Sequence, residues 1–314
     1  MKIAITGGAG FLGTNLAITL SKDLNNQILI IDKNESFFSG LKKLELPNTK
    51  YLEASYDINS DFDSQINGQD IIFHLASTNI PGTSNQTIPK ELEANVITTG
   101  KLLDACVRQK IKKIVFISSG GAVYGKNNNC PIKEDNVTYP ITSYGIQKLS
   151  IEKLLYLYFY QFNLDYRIIR LANPYGPYQR PNGELGVVTT FVYKALKGEC
   201  LDVYGDGTVI RDFIYVDDAI DGILKIANEQ TDYRLYNLGT GYGTSVNQVI
   251  NTIKRMIRNN LVVNYKPVNR PTDVPVNYLD ISRFEKCFGK FNPISLSSGI
   301  EKTADYLRKN YNII

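Results

Sequence analysis

The first half of the chain alternates short apolar runs with longer segments in which apolar residues recur every three or four positions. The short runs predict buried strands and the longer segments predict helices. The predicted strands cover residues 3–5, 28–31, 51–53, 71–75, 113–117 and 166–171. The predicted helices are the segment carrying Leu12, Leu16 and Leu20, then residues 90–109 and 144–162. This alternation predicts an α/β fold in which helices cover both faces of a doubly wound parallel sheet.

Beyond residue 173 the regular alternation is lost. Prolines and glycines crowd residues 174–183, which predicts a loop. A helix is predicted over 187–197, followed by short strands and loops and by helices over 246–259 and 297–310. We expect this half to form a smaller lobe over the carboxyl ends of the strands, where such sheets bind ligands.

The turn between the first strand and the first helix carries T-G-G-A-G-F-L-G at residues 6–13. Glycines at this spacing permit a tight turn, close approach of the backbone to a pyrophosphate, and close packing of helix on strand. The second strand ends at Asp32, whose carboxylate suits the ribose hydroxyls of NAD and repels a 2′-phosphate, although Lys33 weakens this preference. We therefore predict a Rossmann-like NAD site. The alternative is an ordinary glycine-rich turn.

Composition excludes several other functions. The 314 residues include 43% hydrophobic and 21% charged residues, which is ordinary for a globular protein. The net charge of +4, without a basic block, does not indicate nucleic-acid binding, and the apolar runs are too short to predict a membrane span. The four cysteines and the one histidine, His74, lack metal-ligand spacing, so we expect no metal and a core position for His74. We expect a reducing, cytoplasmic location, since the first strand begins at residue 2 and no signal peptide precedes it.

Tyr144 and Lys148 lie four residues apart at the start of a predicted helix, so they share one helix face. Ionising a free tyrosine at pH 7 costs about 4 kcal/mol. A neighbouring lysine cation and the positive nicotinamide ring would lower that cost. A phenolate base beside a hydride acceptor is suited to the oxidation of an alcohol, for example a sugar hydroxyl. The alternative is an amphipathic helix with an incidental Tyr and Lys.

The chain resembles the extended short-chain dehydrogenases/reductases, close to their UDP-glucose 4-epimerase group, over nearly its whole length. The motifs that carry this resemblance are T-G-G-A-G-F-L-G at 6–13, D-I at 57–58, S-S-x-x-x-V-Y-G at 118–125, Y-G-I-Q-K at 144–148, N-P-Y-G-P at 173–177, V-Y-G-D-G-T at 203–208, R-D-F-I-Y-V-D-D at 211–218, N-L-G-T-G at 237–241 and R-P-T-D at 270–273.

The resemblance implies a domain division and a set of site residues. Residues 1–172 would form the NAD-binding Rossmann-like domain, with a returning segment near 212–236, and residues 173–314 a nucleotide-sugar-binding lobe. Tyr144 would be the catalytic base and Lys148 its partner and a ribose ligand. The other matched cofactor positions are Gly7, Gly10, Phe11, Leu12, Asp32, Asp57, Ile58 and Ala76. The matched substrate positions are Asn173, Tyr204, Arg211, Arg270 and Asp273.

The chain departs from the family before its V-Y-G motif. The resembled epimerases have a Ser or Thr where Gly120 stands, so we expect Ser119 or Ser118 to supply the missing hydroxyl, helped by the flexibility of a Gly-Gly pair. Related dehydratases and decarboxylases carry acidic residues where this chain has Gly121 and Ala122. Elimination is therefore not expected, while oxidation and re-reduction remain.

Asn277 stands where the resembled family often has a tyrosine beside C2 of the sugar. An asparagine is smaller, which predicts that N-acetylated sugars are admitted. The implied reaction is epimerisation at C4 of a UDP-sugar through a transient 4-keto intermediate, with tightly bound NAD, in a homodimer that supplies precursors for cell-surface polysaccharide. A C2 epimerase, a 4-keto reductase and a non-catalytic NAD-sensing protein remain alternatives.

Overall fold

The structure is a computed structural model that describes residues 1–79, 84–126, 129–181, 186–258, 260–267 and 274–313. Its strands, in chain order, are β1 (Lys2–Thr6), β2 (Gln27–Asp32), β3 (Thr49–Glu53), β4 (Ile71–His74), β5 (Lys113–Ser119), β6 (Asp165–Leu171), β7 (Asn173–Tyr175), β8 (Leu201–Tyr204), β9 (Ile210–Arg211), β10 (Phe213–Tyr215), β11 (Leu235–Leu238), β12 (Thr244–Ser245), β13 (Val263–Lys266) and β14 (Val276–Asn277).

The helices, in chain order, are α1 (Phe11–Leu20), α2 (Ser39–Lys42), α3 (Phe62–Gln65), α4 (Ile88–Leu92), α5 (Thr98–Arg108), α6 (Ser143–Phe162), α7 (Val187–Lys197), α8 (Val216–Asn228), α9 (Val246–Met256), α10 (Ser282–Phe288) and α11 (Leu296–Tyr311). A single 3₁₀ turn, Glu35–Phe38, precedes α2, and a π turn, Glu93–Ile97, joins α4 to α5.

The largest sheet has seven parallel strands in the order β11-β6-β5-β4-β1-β2-β3. From β1 the chain proceeds outward through β2 and β3. It then returns to β4, on the other side of β1, and proceeds outward through β5 and β6, so the strand order reverses between β1 and β4. Ligands of such sheets bind at this switch point, beyond the carboxyl ends of the strands. The predicted doubly wound, Rossmann-like fold is thereby confirmed.

Side chains of the central strands alternate between two cores. In β5, Val115 and Ile117 pack into the core that includes α1 and α8. Ile114 and Phe116 face the opposite core, with α5 and α6. Because both faces are covered, the strand is apolar at successive positions rather than at alternate ones. Complete burial of one such side chain stabilises the fold by about 1.5–3 kcal/mol.

The long predicted helices are present, with small shifts at their ends. Helix α6 begins at Ser143, because the Thr142 side chain accepts the Gly145 N–H at 3.1 Å, and it ends before Asn163, whose φ of 57° is left-handed. The helix predicted over 90–109 begins two residues earlier and contains the π turn. The helix predicted over 246–259 ends at Met256, while residue 259 lies outside the described residues.

The sequence analysis did not predict helix α8. This helix packs on α1 and leads from β10 into β11, which pairs with β6 at the edge of the large sheet. The short sheets β10-β7, β12-β9-β14 and β13-β8 belong to the C-terminal half. We retain the division at residue 172, with a returning segment, as a proposal.

Among the described residues, none of the helices combines the length with the apolar character that crossing a bilayer requires.

Candidate active site

The glycine-rich turn packs so closely that two of its positions have no room for a side chain. At Gly7, where φ is +68°, a Cβ atom would lie 2.7 Å from the backbone of Ala76. At Gly13 it would lie 2.5 Å from the backbone of Gly8. The turn therefore brings the start of α1 against the carboxyl ends of β1 and β4. Ala76, a predicted cofactor residue, borders this turn.

The carboxylate of Asp32 lies beside the same turn. It accepts the N–H of Ala9 at 3.0 Å and the N–H of Lys33 at 2.8 Å. Helix α1 begins after Gly10, which has no side chain to cap the first N–H groups. A glycine cradle, a helix N-terminus and a carboxylate at the end of the second strand fit the pyrophosphate and a ribose of NAD.

Four more predicted cofactor residues lie at this edge of the sheet. Phe11 and Leu12 form the half-buried first turn of α1. Asp57 and Ile58 lie in the loop that follows β3, where the Asp57 carboxylate accepts the N–H of Asn59 at 2.7 Å. The structure thus brings the predicted cofactor residues to one edge of the sheet, and their roles in binding stay a prediction.

Tyr144 and Lys148 lie one turn apart on α6, with the Lys148 ammonium 5.6 Å from the centroid of the tyrosine ring. Burial raises the pKa of Tyr144 to about 12, and a hydrogen bond with the Ser119 side chain acts in the opposite direction. Burial lowers the pKa of Lys148 to about 8, against the effect of the Glu152 carboxylate. The Lys148 ammonium donates to the carbonyl of Ile117 at 2.9 Å. Lys148 is therefore held at the end of β5, mainly as a cation at pH 7.

The structure separates the two serines that the sequence left open. The Ser119 side chain lies beside Tyr144 and lowers its pKa. Ser118 is buried and donates to the carboxylate of Glu152 at 2.6 Å. The same carboxylate forms an ion pair with Arg170, at 2.7 Å. Ser118 is thus engaged in the core, while Ser119, the half-buried last residue of β5, lies beside Tyr144 and is the candidate to reach a ligand there.

Gly120 is enclosed by the C-terminal half. A Cβ atom at this position would lie 2.6 Å from a methyl group of Leu279 and 3.2 Å from the carbonyl oxygen of Arg170. The side-chain amide of Asn277 donates to the carbonyl of Gly120 at 3.2 Å and is only 2% exposed. Leu279 thus occupies the space that a serine or threonine at this position would need.

Of five predicted substrate residues, two bond to backbone carbonyls, one is exposed, and two lie outside the described residues. Asn173, at the start of β7, donates its side-chain amide to the carbonyl of Asp212 at 2.9 Å. Arg211, on β9, donates to the carbonyls of Ile210 and Val274 at 2.8 and 2.6 Å. Tyr204, at the end of β8, is exposed. Arg270 and Asp273 lie outside the described residues.

Sequence reasoning did not single out Asp212, which organises this lobe. Its buried carboxylate accepts both the N–H and the hydroxyl of Thr240, at 2.8 and 2.7 Å, and the N–H of Leu279 at 3.4 Å. Burial raises the pKa of Asp212, against these hydrogen bonds. Its signal in the sequence is an acidic residue that directly precedes the apolar residues of β10.

Comparison with known proteins agrees with this geometry. A model of the family described as "NAD dependent epimerase/dehydratase family" matches residues 3–239. A curated relative named "Putative UDP-glucose 4-epimerase", from Methanocaldococcus jannaschii, is 34% identical over 312 residues, covering 98% of this chain and 99% of the relative.

Two solved structures are similar over almost the entire chain. The UDP-glucose 4-epimerase of Thermotoga maritima, solved with UDP-glucose, has a TM-score of 0.90 at 32% identity, covering 99% of this chain and 100% of that one. The UDP-N-acetylglucosamine 4-epimerase of Methanobrevibacter ruminantium M1, solved with UDP-N-acetylmuramic acid, has a TM-score of 0.89 at 29% identity, covering 98% of each chain. The family resemblance inferred from the motifs is confirmed.

Proposed function

The chain belongs to the NAD dependent epimerase/dehydratase family, and we propose that it interconverts two UDP-sugars that differ in configuration at C4. One observation carries the proposal: Ser119, Tyr144 and Lys148 adjoin one another at the carboxyl edge of the sheet that holds the glycine-rich turn and Asp32. The names of the similar proteins support the choice of a UDP-sugar and of C4.

Tyr144 acts as the base in this mechanism. Its phenolate takes the proton of the C4 hydroxyl, while Ser119 hydrogen-bonds the same oxygen and orients it. NAD, when bound, would supply the acceptor for the C4 hydride and the donor for its return to the opposite face of the resulting ketone. Tyr144 then gives the proton back, so no second substrate is consumed.

Lys148 makes the phenolate accessible near neutral pH. Burial raises the pKa of Tyr144, so an uncharged site would keep this residue protonated. The Lys148 cation, held by the carbonyl of Ile117, offsets part of that cost. The same ammonium lies beside the edge where the nicotinamide ribose would bind.

The C-terminal lobe would hold the nucleotide diphosphate. We assign the diphosphate to Arg211 and Arg270, since a guanidinium group binds phosphate oxygens in a forked geometry. The exposed ring of Tyr204 would stack on the base, and Asp273 would bind a ribose hydroxyl. Asn173 would contact the sugar. A sugar held only through its diphosphate can turn over between the two hydride transfers.

We further propose that N-acetylated sugars are admitted beside Asn277. Its amide is held by the carbonyl of Gly120, so this small side chain lies against the backbone next to Ser119. The name of the similar protein from Methanobrevibacter ruminantium, a UDP-N-acetylglucosamine 4-epimerase, supports this choice.

The test of the function is direct incubation with four substrates. The purified protein, with catalytic NAD, is given UDP-glucose, UDP-galactose, UDP-N-acetylglucosamine and UDP-N-acetylgalactosamine separately, and the products are resolved by chromatography and NMR. Interconversion of a C4 pair without net NADH supports the proposal. Stoichiometric use of NADH would indicate a 4-keto reductase, and a new C2 isomer would indicate a C2 epimerase. Turnover of UDP-glucose equal to that of UDP-N-acetylglucosamine would contradict the role given to Asn277.

We propose that the protein works as a homodimer through α6 and the neighbouring π turn. Tyr156 and Tyr160 on α6 are 58% and 77% exposed, and their rings stack at 6.4 Å. Leu157 and, on the π turn, Ile97 are also exposed. Pairing with a second copy would bury these apolar side chains.

All four cysteines are free, which is consistent with the proposed cytoplasmic location and a role in supplying polysaccharide precursors there.

A further inference from the structure

Glu91, on α4, is a buried acidic residue to which the proposed mechanism assigns no role. Only 5% of it is exposed. Its carboxylate accepts three successive backbone N–H groups, those of Asn85 at 3.3 Å and of Gln86 and Thr87 at 3.1 Å each. Burial favours the neutral carboxyl group, but the hydrogen bonds, led by that of Ser143, outweigh this effect and keep the pKa of Glu91 below its ordinary value. Glu91 is therefore a buried residue whose carboxylate accepts hydrogen bonds from the segment before α4.

A further donor to this carboxylate belongs to α6, the helix that carries Tyr144 and Lys148. The side-chain amide of Gln147 donates to Glu91 at 3.3 Å and to the Ser143 hydroxyl at 2.9 Å. The N–H of Ser143 donates to the side-chain oxygen of Asn85 at 2.6 Å. Ser143 immediately precedes Tyr144, and Gln147 immediately precedes Lys148. Ser143 and Gln147, which bond Asn85 and Glu91, thus alternate along α6 with Tyr144 and Lys148.

Helix α4 and the π turn after it also fix the segment that leaves β4. The side-chain oxygen of Asn95, one turn beyond Glu91, accepts the N–H of Thr78 at 2.9 Å, and its amide donates to the Thr78 hydroxyl at 2.7 Å. The amide of Asn95 also donates to the carbonyl of Glu91 at 3.1 Å. Asn95 thus holds Thr78, which follows β4, and Glu91 holds residues 85–87, which precede α4.

We propose that Glu91 is a positioning residue that fixes residues 84–87 on the first turn of α6 and so sets the position of Tyr144 against the sugar hydroxyl. A capping role within α4 alone would explain the bonds to residues 86 and 87. It would not explain the bond from Gln147, nor the bond from the Ser143 N–H to Asn85. This inference rests on the proposed function for the identity of the reacting group.

The test compares Glu91→Gln with Glu301→Gln in the NAD-loaded enzyme. Glu301 is exposed on α11, away from the proposed site and the proposed dimer face, so it is the control for the same substitution. Glutamine keeps the size of Glu91 but replaces one acceptor oxygen with a donor group, which faces N–H donors whichever way the amide lies. Because a slightly misplaced base costs up to about 100-fold, we expect kcat to fall 10- to 100-fold in Glu91→Gln. The KM for the UDP-sugar should change less than about twofold, since the contact acts on the chemical step.

Hydrogen exchange provides a readout that does not depend on activity. In Glu91→Gln, amides of residues 84–87 and 143–147 should exchange faster, while the rest of the chain and Glu301→Gln should match the wild type. Adding Gln147→Glu to Glu91→Gln restores an acceptor across the contact and should recover part of kcat. A uniform increase in exchange, or an unchanged kcat, would overturn the proposal. A local exchange response in a wild-type protein that converts no UDP-sugar would support the contact and overturn the proposed function.

Discussion

At the scale of single residues, the candidate chemistry depends on which partner each hydroxyl at the end of β5 meets. Ser119 and Ser118 are neighbours in sequence, yet Ser119 lies beside Tyr144 while Ser118 bonds Glu152, about two turns further along α6. The spacing of Tyr144 and Lys148 could be recognised from the sequence because it depends only on helix geometry. The choice between the serines could not, since it depends on where β5 ends in space.

Replacing the serines one at a time should separate a catalytic role from a structural one. We expect Ser119→Ala to lower kcat about 10²- to 10³-fold, the usual effect of removing one hydrogen-bond donor at a reacting oxygen. Ser118→Ala should retain turnover but lower the free energy of unfolding by about 1–3 kcal/mol, because the Glu152 carboxylate loses a buried donor. Steady-state kinetics and urea unfolding measure the two effects. The reverse pattern would contradict the assignment.

His74, the one histidine, should give the protein an acid-sensitive stability. It is 1% exposed and contacts the hydroxyls of Thr6 and Thr99, and burial lowers its pKa to about 3. Between that value and its ordinary pKa of about 6.5, the unfolded chain binds a proton that the folded protein does not. Stability should therefore fall as pH drops below about 6.5, by up to about 1.4 kcal/mol per pH unit from this residue.

Urea unfolding of the wild type and of His74→Gln at pH values from 7 to 4.5 measures this contribution. Acidic groups titrate in both proteins, so the difference between the two curves isolates His74. We expect the advantage of the wild type to shrink as the pH falls. A difference that is constant over this range would show that His74 takes up its proton at the same pH in the folded protein as in the unfolded chain, which would contradict this account.

At the scale of elements, the loop after β5 is shaped by a strand far away in sequence. Asn277, the last residue of β14, and Leu279, two residues later, pack against Gly120. The sequence shows that a hydroxyl is missing at this position, but it cannot show that the space is already filled.

Helix α8 is a different case. Its apolar residues Val216, Ile220 and Ile223 follow a helical period, so the signal was present in the sequence and was overlooked beside the family motif. The π turn has no comparable pattern.

Restoring the family's hydroxyl should fail for a steric reason. We expect Gly120→Ser to lower the free energy of unfolding by about 1–3 kcal/mol and to leave turnover no higher, because the new side chain overlaps Leu279. Gly121→Ser is the matched control, since a Cβ atom there would meet its nearest neighbour, the Ser119 hydroxyl, at 3.9 Å. Adding Leu279→Ala to Gly120→Ser should cost less than the sum of the single changes. Strict additivity in urea unfolding would contradict this account.

At the scale of the whole molecule, the fold was predictable because it repeats one unit. Each βα pair gives the same apolar rhythm, and the glycine turn with Asp32 fixes where the cofactor edge lies. The C-terminal half was less predictable because its strands are two to four residues long and pair across large sequence distances. Short strands of this kind carry too few residues to show a period.

The proposed dimer can be tested through the exposed face of α6. We expect Tyr160→Glu to convert a dimer into a monomer in light scattering, because pairing would bury the new charge without a partner. Lys309→Glu, on the exposed end of α11, should leave the mass unchanged. A wild-type protein that is monomeric at micromolar concentration, or a Tyr160→Glu dimer, would contradict the proposal.

The central claim is that the substrate is oxidised at C4 and reduced again by the same hydride. The most direct measurement is to convert a UDP-sugar deuterated at C4 and to locate the label in the product by NMR. We predict that the deuterium stays at C4 of the epimer, with no net NADH, and that Tyr144→Phe loses most of the rate. Loss of the deuterium to solvent, or its retention in a product whose C4 configuration is unchanged, would contradict the account.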